Sequence, residues 1–299
     1  MYTQFFGNYL LGQGYVTQEQ LLFAMKKQAG TRMKLGTLAI HAGYMTPEEV
    51  DRTVIEQTHQ DKKFGEIAIE FGFLTSEQVL ELLRTQGPDF LLLGQIFVDE
   101  GILTNADLAT IIADYRSKNE MIDLEMTIDN RKAIDKLFDN FFIASETPIT
   151  PLEQMYSELL FNNFVRFIGD DYTPLSVVEC DSFPIERCVK QQVNGAYSIV
   201  SYINMSEKVA IEFASRYVGE TFETYDEYVQ ASMEDFLNLH NGLFIVNVSN
   251  EESLELTITA PEIVTDSSLI FDTRTYDFPV MYSFGIVHFI IQILKTKNS

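Results

Sequence analysis

Positive charge is what this chain most conspicuously lacks. It carries 21 Lys and Arg against 44 Asp and Glu, a formal net charge of −23. That deficit argues against nucleic acid or an anionic membrane surface as the main partner. The acidic residues are spread along the chain rather than gathered in a tail, so most of them read as a solvated surface. Tryptophan is absent, and cysteine occurs only twice, as Cys180 and Cys188. Two thiols in a chain of this length make no disulfide framework, and their spacing does not suit zinc. Both read as reduced, structural thiols, which suits the cytoplasm. Long apolar runs are missing too. The longest near the C-terminus, Phe284–Leu294, is interrupted by His288 and Gln292 and falls short of the roughly 20 residues that span a bilayer. The opening MYTQFFGNYLLGQGYV has no basic segment of the secretory type.

What is present is an ordinary apolar fraction over 299 residues, enough for two domains with separate cores. The first third is periodic. Gly7, Gly36, Gly65 and Gly94 lie 29 residues apart, as do Gly14, Gly43, Gly72 and Gly101, and Thr17, Thr46, Thr75 and Thr104. Four copies in one register predict a repeat architecture. Within a copy, Gly72 suits a left-handed helix stop, Phe73-Leu74 crosses over, and Thr75 caps a second helix with Gln78 in the reciprocal position. Thr17 with Gln20 and Thr46 with Glu49 repeat the capping pattern. Each 29-residue unit is therefore a helix-turn-helix too short to bury its own apolar face, so the units must stack.

The glycines, the apolar positions and the closing Gln28, Gln57 and Gln86 resemble the MshEN-type domain, found also at the front of type II secretion and type IV pilus ATPases. The resemblance covers about residues 5–115. It implies an all-α repeat that works as a sensor or docking module, and in some members a cyclic di-GMP site. Where an arginine opens the nucleotide-binding motif of that family, this chain has Phe5, Lys34, Lys63 and Leu92. Lys34 and Lys63 are the nucleotide-contacting candidates. An ammonium lacks the planar fork that both stacks on guanine and bonds it bidentately, which favours docking over nucleotide binding.

The chain divides as 1–115, a linker over 116–150, and a second domain over 151–299. Ile134, Leu137, Phe138 and Phe141 predict an amphipathic helix in the linker, and Thr147-Pro148-Ile149-Thr150-Pro151 ends it. The second domain mixes helices and strands without βαβ regularity and reads as α+β. Helices are predicted over Leu152–Ile168, over Ser206–Tyr217 with Gly219 as its stop, and from about Tyr225 with Thr224 and Glu227 as a capping box. Strands are predicted within Val193–Ile203, around Leu254–Thr259 and within Pro279–Leu294.

At ~100° per residue, Val229, Met233, Phe236, Leu237, His240, Leu243 and Phe244 gather on one side of the third helix. Asp235, Asn238 and Gly242 fall within about 60° of one another on the other side. His240 belongs to the apolar side as a half-buried histidine rather than a base. Asp235-x-x-Asn238-x-x-x-Gly242, followed by Pro261 at the appropriate distance, resembles the signature of the CheX-type chemotaxis phosphatases. The run from Met205-Ser206-Glu207 to Gly219 resembles the helix that precedes their active helix. With a single carboxylate-x-x-Asn pair, the domain looks like the one-site CheX branch rather than the two-site CheC branch.

The resemblance implies a phosphatase acting on the aspartyl phosphate of a CheY-like receiver. Asn238 would orient the attacking water, Asp235 would pair with the receiver's active-site lysine, and Asn241 and Gly242 would meet the partner. The receiver would supply Mg²⁺, this chain would bind no cofactor or metal of its own, and the domain would pair as a homodimer. Asp235 stands where the family has glutamate, and Ala231 where it has Asp or Ser. These departures keep open a second reading, a non-catalytic adaptor that binds a receiver or only dimerises.

Overall fold

The computed structural model describes residues 2–28, 30–85, 87–126, 150–252 and 254–295. It divides the chain into two units, Met1–Ile134 and Asp135–Ser299. The predicted linker helix, from Ile134 to Phe141, and the break at Thr147–Ile149 lie outside the described residues.

The first unit is helical throughout its described residues: α1 (Tyr2–Gly12), α2 (Gln18–Gln28), α3 (Leu35–His41), α4 (Pro47–Gln57), α5 (Phe64–Glu70), α6 (Ser76–Arg84), α7 (Asp89–Asp99) and α8 (Asn105–Met126). α2, α4, α6 and α8 each follow a threonine whose hydroxyl accepts from the N–H three residues on. The facing side chain bonds back to the threonine N–H: Gln20, Glu49, Gln78 and Asp107. Gly14, Gly43, Gly72 and Gly101 precede these caps with φ between 69° and 73°, a left-handed conformation that costs other residues ~1–2 kcal/mol. The in-helix glycines serve packing instead. A Cβ at Gly36, Gly65 or Gly94 would approach Val50 to 2.8 Å, Val79 to 3.1 Å or Leu108 to 2.4 Å. α8 continues through Met126 without a break at 115, because no Gly or Pro interrupts it there. Tyr115, which stands where the other copies have glutamine, is buried edge-on against Phe6.

The second unit is α+β. Its described residues begin with α9 (Pro151–Phe167), reciprocally capped by Thr150 and Glu153. Short strands β1 (Tyr172–Pro174), β2 (Val178–Glu179) and β3 (Ser182–Pro184) lead to β4 (Arg187–Gly195) and β5 (Ser198–Met205). Then come α10 (Glu207–Val218), α11 (Glu227–Glu252), β6 (Leu256–Ile258), β7 (Glu262–Val264), β8 (Ser268–Ile270), β9 (Thr275–Tyr282) and β10 (Gly285–Lys295). The main sheet runs β1-β9-β10-β5-β4-β6, with β2 beside β9 and β7 beside β4. All its described pairings are antiparallel.

α10 and α11 pack together, and α9, α10 and α11 pack with the sheet through the apolar stripe that includes Phe164, Phe213, Phe236, Phe244 and Phe289. A second cluster, Cys188, Val200, Tyr202, Val264, Phe271 and Ile290, is covered by Phe183, Ile185 and Leu269 around the β3–β8 ribbon. Both cysteines are free thiols, and burial pushes each up to about 12.

One local expectation is refined and one corrected. The stretch Val193–Ile203 holds the end of β4 and most of β5. It spans the β4–β5 turn, entered through Gly195 at φ 141°. The cap of α11 is not Thr224 but Asp226, whose Oδ1 accepts from the N–H of Tyr228 and Val229 at 3.0 and 3.1 Å. An aspartate one residue before the helix reaches those donors directly. Among the described residues, no helix is long and apolar enough to cross a membrane.

Candidate functional site

α11 turns its apolar side to the core. Val229, Met233, Phe236, Leu237 and Phe244 are all at 0 % exposure. Asp235 and Asn238 are exposed, three residues apart on the other side. Neighbours at that spacing hold their Cβ atoms about 5–6 Å apart. Gly242 follows on the same side, and a Cβ built there meets nothing within 4 Å. The helix projection is thus realised for these three residues. Leu243, expected in the core, is 37 % exposed.

Asn241 corrects its assignment as a partner contact. It is wholly buried and its carboxamide is fully engaged. Tyr156 donates its hydroxyl to Asn241 Oδ1 at 2.6 Å, while Asn241 Nδ2 donates to Gln191 Oε1 and Ser201 Oγ, both at 2.9 Å. The reason is that α11 is flanked by α9 as well as by the sheet, so the buried arc is wider than the apolar stripe shows. His240 is also fully rather than half buried, between the rings of Tyr156 and Phe289. Desolvation lowers its pKa to about 3, so it is neutral at physiological pH.

Both exposed site residues are held from behind. Tyr217, on α10, donates its hydroxyl to Asp235 Oδ2 at 2.7 Å and rests edge-on against Phe236. Burial, then the bond to Asp235, pushes the Tyr217 hydroxyl pKa well up, so it stays a donor. Gln191, on β4, donates through Nε2 to Asn238 Oδ1 and to the Thr259 carbonyl, each at 2.8 Å. Pro261 lies two residues beyond Thr259, in the connection from β6 to β7, and β7 returns to β4. The Asn-to-Pro spacing therefore has a local meaning: it brings the Thr259 carbonyl against Gln191.

Sequence reading missed Tyr217, Gln191 and Thr259. Gln191 had a signal, since it interrupts the alternating pair Val189 and Val193, both at 0 % exposure. A polar residue in the middle of a buried row needs a partner.

Ala231 lines a shallow depression of about 440 Å³ together with Asp235, Tyr217, Phe222, Tyr228 and Ser232. It offers no polar group. Ser232 beside it is turned inward, its hydroxyl donating to the Tyr228 carbonyl at 2.7 Å.

In the first unit, Lys34 lines a cavity of about 510 Å³ with Gly36, Gln57, Phe64, Asp99 and Asn105. Its ammonium is paired with Asp99 Oδ1 at 2.5 Å. Lys63 is exposed, ahead of α5, where its N–H donates to Glu66 Oε2 at 2.9 Å. It is not among the residues lining that cavity. No cluster of His, Cys, Asp or Glu suited to a metal ion occurs among the described residues.

No protein-family model and no curated protein matches the chain. Solved structures do match its second half. A chemotaxis protein CheX from Desulfovibrio desulfuricans is 9 % identical, with 48 % of this chain and 99 % of that chain covered at a TM-score of 0.42. A CheC-like superfamily protein from Shewanella sp. PV-4 is 15 % identical, with 49 % and 99 % covered at a TM-score of 0.43. The CheX–CheY–BeF3–Mg²⁺ complex from Borrelia burgdorferi matches at 13 % identity, with 47 % and 96 % covered and a TM-score of 0.38.

Proposed function

We propose that the second unit is a CheX-like phosphatase that speeds loss of the phosphoryl group from the aspartyl phosphate of a CheY-like receiver. The observation that carries this reading is the presentation of Asp235 and Asn238. They are exposed, one turn apart on a helix whose other side is core, and each is bonded to a buried or half-buried anchor.

An acyl phosphate is reactive enough that the enzyme need not supply a nucleophile of its own. Positioning water in line is the main task, and it is worth several kcal/mol when the geometry is rigid. Asn238 holds the water. The water oxygen bonds to phosphorus as the bond from phosphorus to the aspartyl oxygen breaks, the aspartate leaves as carboxylate, and the water's proton passes to phosphate or solvent. Asp235 pairs with the receiver's lysine. The receiver's own Mg²⁺ supplies charge neutralisation at the phosphoryl oxygens.

The test is to add the protein to a phosphorylated receiver with Mg²⁺ and follow phosphate release, beside an Asn238→Ala variant. The expected result is acceleration by the wild type and at least a tenfold loss in the variant. No acceleration across several receivers sinks the enzymatic reading, and equal acceleration by both proteins sinks the site.

A second reading, a receiver-binding adaptor without catalysis, draws on Asp235. Its side chain is short, and one oxygen is already engaged by Tyr217. Receiver binding without acceleration would favour it.

For the first unit we infer a four-unit, MshEN-like module that docks or regulates. Against cyclic di-GMP stands the pairing of Lys34 with Asp99 and the outlying place of Lys63. Calorimetric titration separates the two: heat at micromolar cyclic di-GMP would restore the nucleotide reading.

A further inference from the structure

The hydrogen bonds behind Asn238 form a chain with a defined direction. The Thr259 carbonyl can only accept, so the end of Gln191 that faces it must be the amino nitrogen Nε2. That same nitrogen is 2.8 Å from Asn238 and must donate there as well, so the Asn238 atom facing inward is the oxygen Oδ1. Gln191's other end, Oε1, then accepts from Asn241 Nδ2, and Asn241's remaining oxygen accepts from the Tyr156 hydroxyl. Each amide in the chain constrains the next. Gln191 is 1 % exposed and Asn241 and Ser201 are 0 % exposed, so water does not compete for the bonds among these three.

We propose that Gln191 is a positioning residue that fixes the orientation of the Asn238 carboxamide, with Oδ1 tied to the sheet and the Nδ2 amino group turned outward as a hydrogen-bond donor. A free asparagine on an exposed helix face samples several rotamers and both amide orientations. Here one orientation is selected by a bond from a buried strand residue 47 positions away in sequence. The ligand that suits an outward N–H is an acceptor. In the reaction proposed above, the attacking water accepts from Nδ2 through one lone pair and attacks phosphorus with the other. The catalytic consequence rests on that reading; the orientation itself does not.

The experiment has two arms, both on the full chain. The first uses side-chain amide NMR. The Asn238 Nδ2 protons, assigned by their loss in Asn238→Ala, should show one set of shifts with restricted rotamer averaging in the wild type. In Gln191→Met, which fills the same space without a donor, they should move to averaged, random-coil-like values. Unchanged shifts in Gln191→Met would overturn the proposal.

Should Gln191→Met not fold, the wild type alone decides. The Asn238 side chain should hold a single χ1 rotamer by its three-bond couplings, and its Nδ2 protons should exchange with solvent faster than those of the buried Gln191 and Asn241. Rotamer-averaged couplings, or Asn238 protons as protected as theirs, would overturn the proposal.

The second arm measures receiver dephosphorylation. Gln191→Met should lower kcat about tenfold and leave KM for the receiver within twofold, while adding little to the loss in an Asn238→Ala background. Equal losses in both backgrounds would mean that Gln191 acts on the fold rather than through Asn238. If the wild type shows no acceleration at all, the phosphatase reading fails, and the NMR arm still decides whether Gln191 orients Asn238.

Discussion

Acid is the perturbation that most directly tests the core beneath the site. His240 is two residues past Asn238 on α11 and wholly buried. Asn163 Nδ2, which can only donate, is 3.1 Å from His240 Nδ1, so Nδ1 accepts and the proton belongs to Nε2. Nε2 has no hydrogen-bond partner among the described residues. A second proton would make a buried cation without a counter-charge bonded to it, and desolvation accordingly lowers the pKa from 6.5 to about 3. In the unfolded chain the ring titrates near 6.5. Between the two values the unfolded state binds a proton that the folded state refuses. Stability from this residue is therefore complete above pH 6.5 and lost as pH falls, by about 1.4 kcal/mol per pH unit. From pH 6.5 to pH 5 the loss is about 2 kcal/mol.

His41, held at about 4 by burial and the nearby Arg116 charge, adds a slope of the same sign. Asp277, raised by burial, adds one of opposite sign at the acidic end. The comparison must therefore be with His240→Asn, whose Oδ1 still faces Asn163 but does not titrate. The variant should be less stable at neutral pH, yet its stability should fall less steeply toward pH 5. Urea unfolding followed by circular dichroism suits a chain without tryptophan, and the His240 ring resonance should stay fixed from pH 7.5 to pH 4.5. A ring that titrates near 6.5, or equal slopes in the two proteins, would mean that His240 is not held neutral by burial. A buried ring that stays neutral across this range is no general base, so dephosphorylation should show no inflection that His240→Asn abolishes.

Asn241→Leu strands Gln191 Oε1 in the core and takes one bond each from the Tyr156 hydroxyl and Ser201 Oγ, while Tyr156 keeps Ser201 and Ser201 keeps the Gln191 carbonyl. At about 1–3 kcal/mol for the unsatisfied oxygen, with the weakened bonds of the other two added, urea unfolding should report a loss of about 2–4 kcal/mol; a loss under about 1 kcal/mol would mean that the network is solvated. Tyr217→Phe frees Asp235 Oδ2 from its hydroxyl partner. If Asp235 pairs with a receiver lysine, removing a competing bond of about 0.5–1.5 kcal/mol should tighten receiver binding roughly 2- to 10-fold by calorimetry, and unchanged binding would remove Asp235 from the interface. Gly285→Ala combines φ 145° with a Cβ only 2.4 Å from Val209 Cγ2, so a thermal melt should show a destabilisation of about 2–4 kcal/mol.

The sequence made the local rules of this fold readable. Thr46 with Glu49 and Thr75 with Gln78 are reciprocal caps in the structure because each bond closes within three residues. Gly72 is left-handed because the chain must leave a helix and turn within two residues of the next cap. The exposed side of α11 was equally legible, since helical periodicity alone separates Asp235 and Asn238 from Phe236 and Leu237.

What stayed illegible were the polar residues whose partners are remote. Asn241 looked like its exposed neighbours, and it is Tyr156, 85 residues away, Gln191, 50 away, and Ser201, 40 away, that make it a core residue. The same holds for the site's strongest constraint. A motif written as Asp, Asn and Pro names two residues that face outward and one in a connecting loop. It omits the glutamine that the loop carbonyl orients and that in turn holds the asparagine. A short acid at 235 is an exposed difference that a partner's approach can absorb. A loss at Gln191 would alter which atom of Asn238 faces outward, and no movement of the partner restores that.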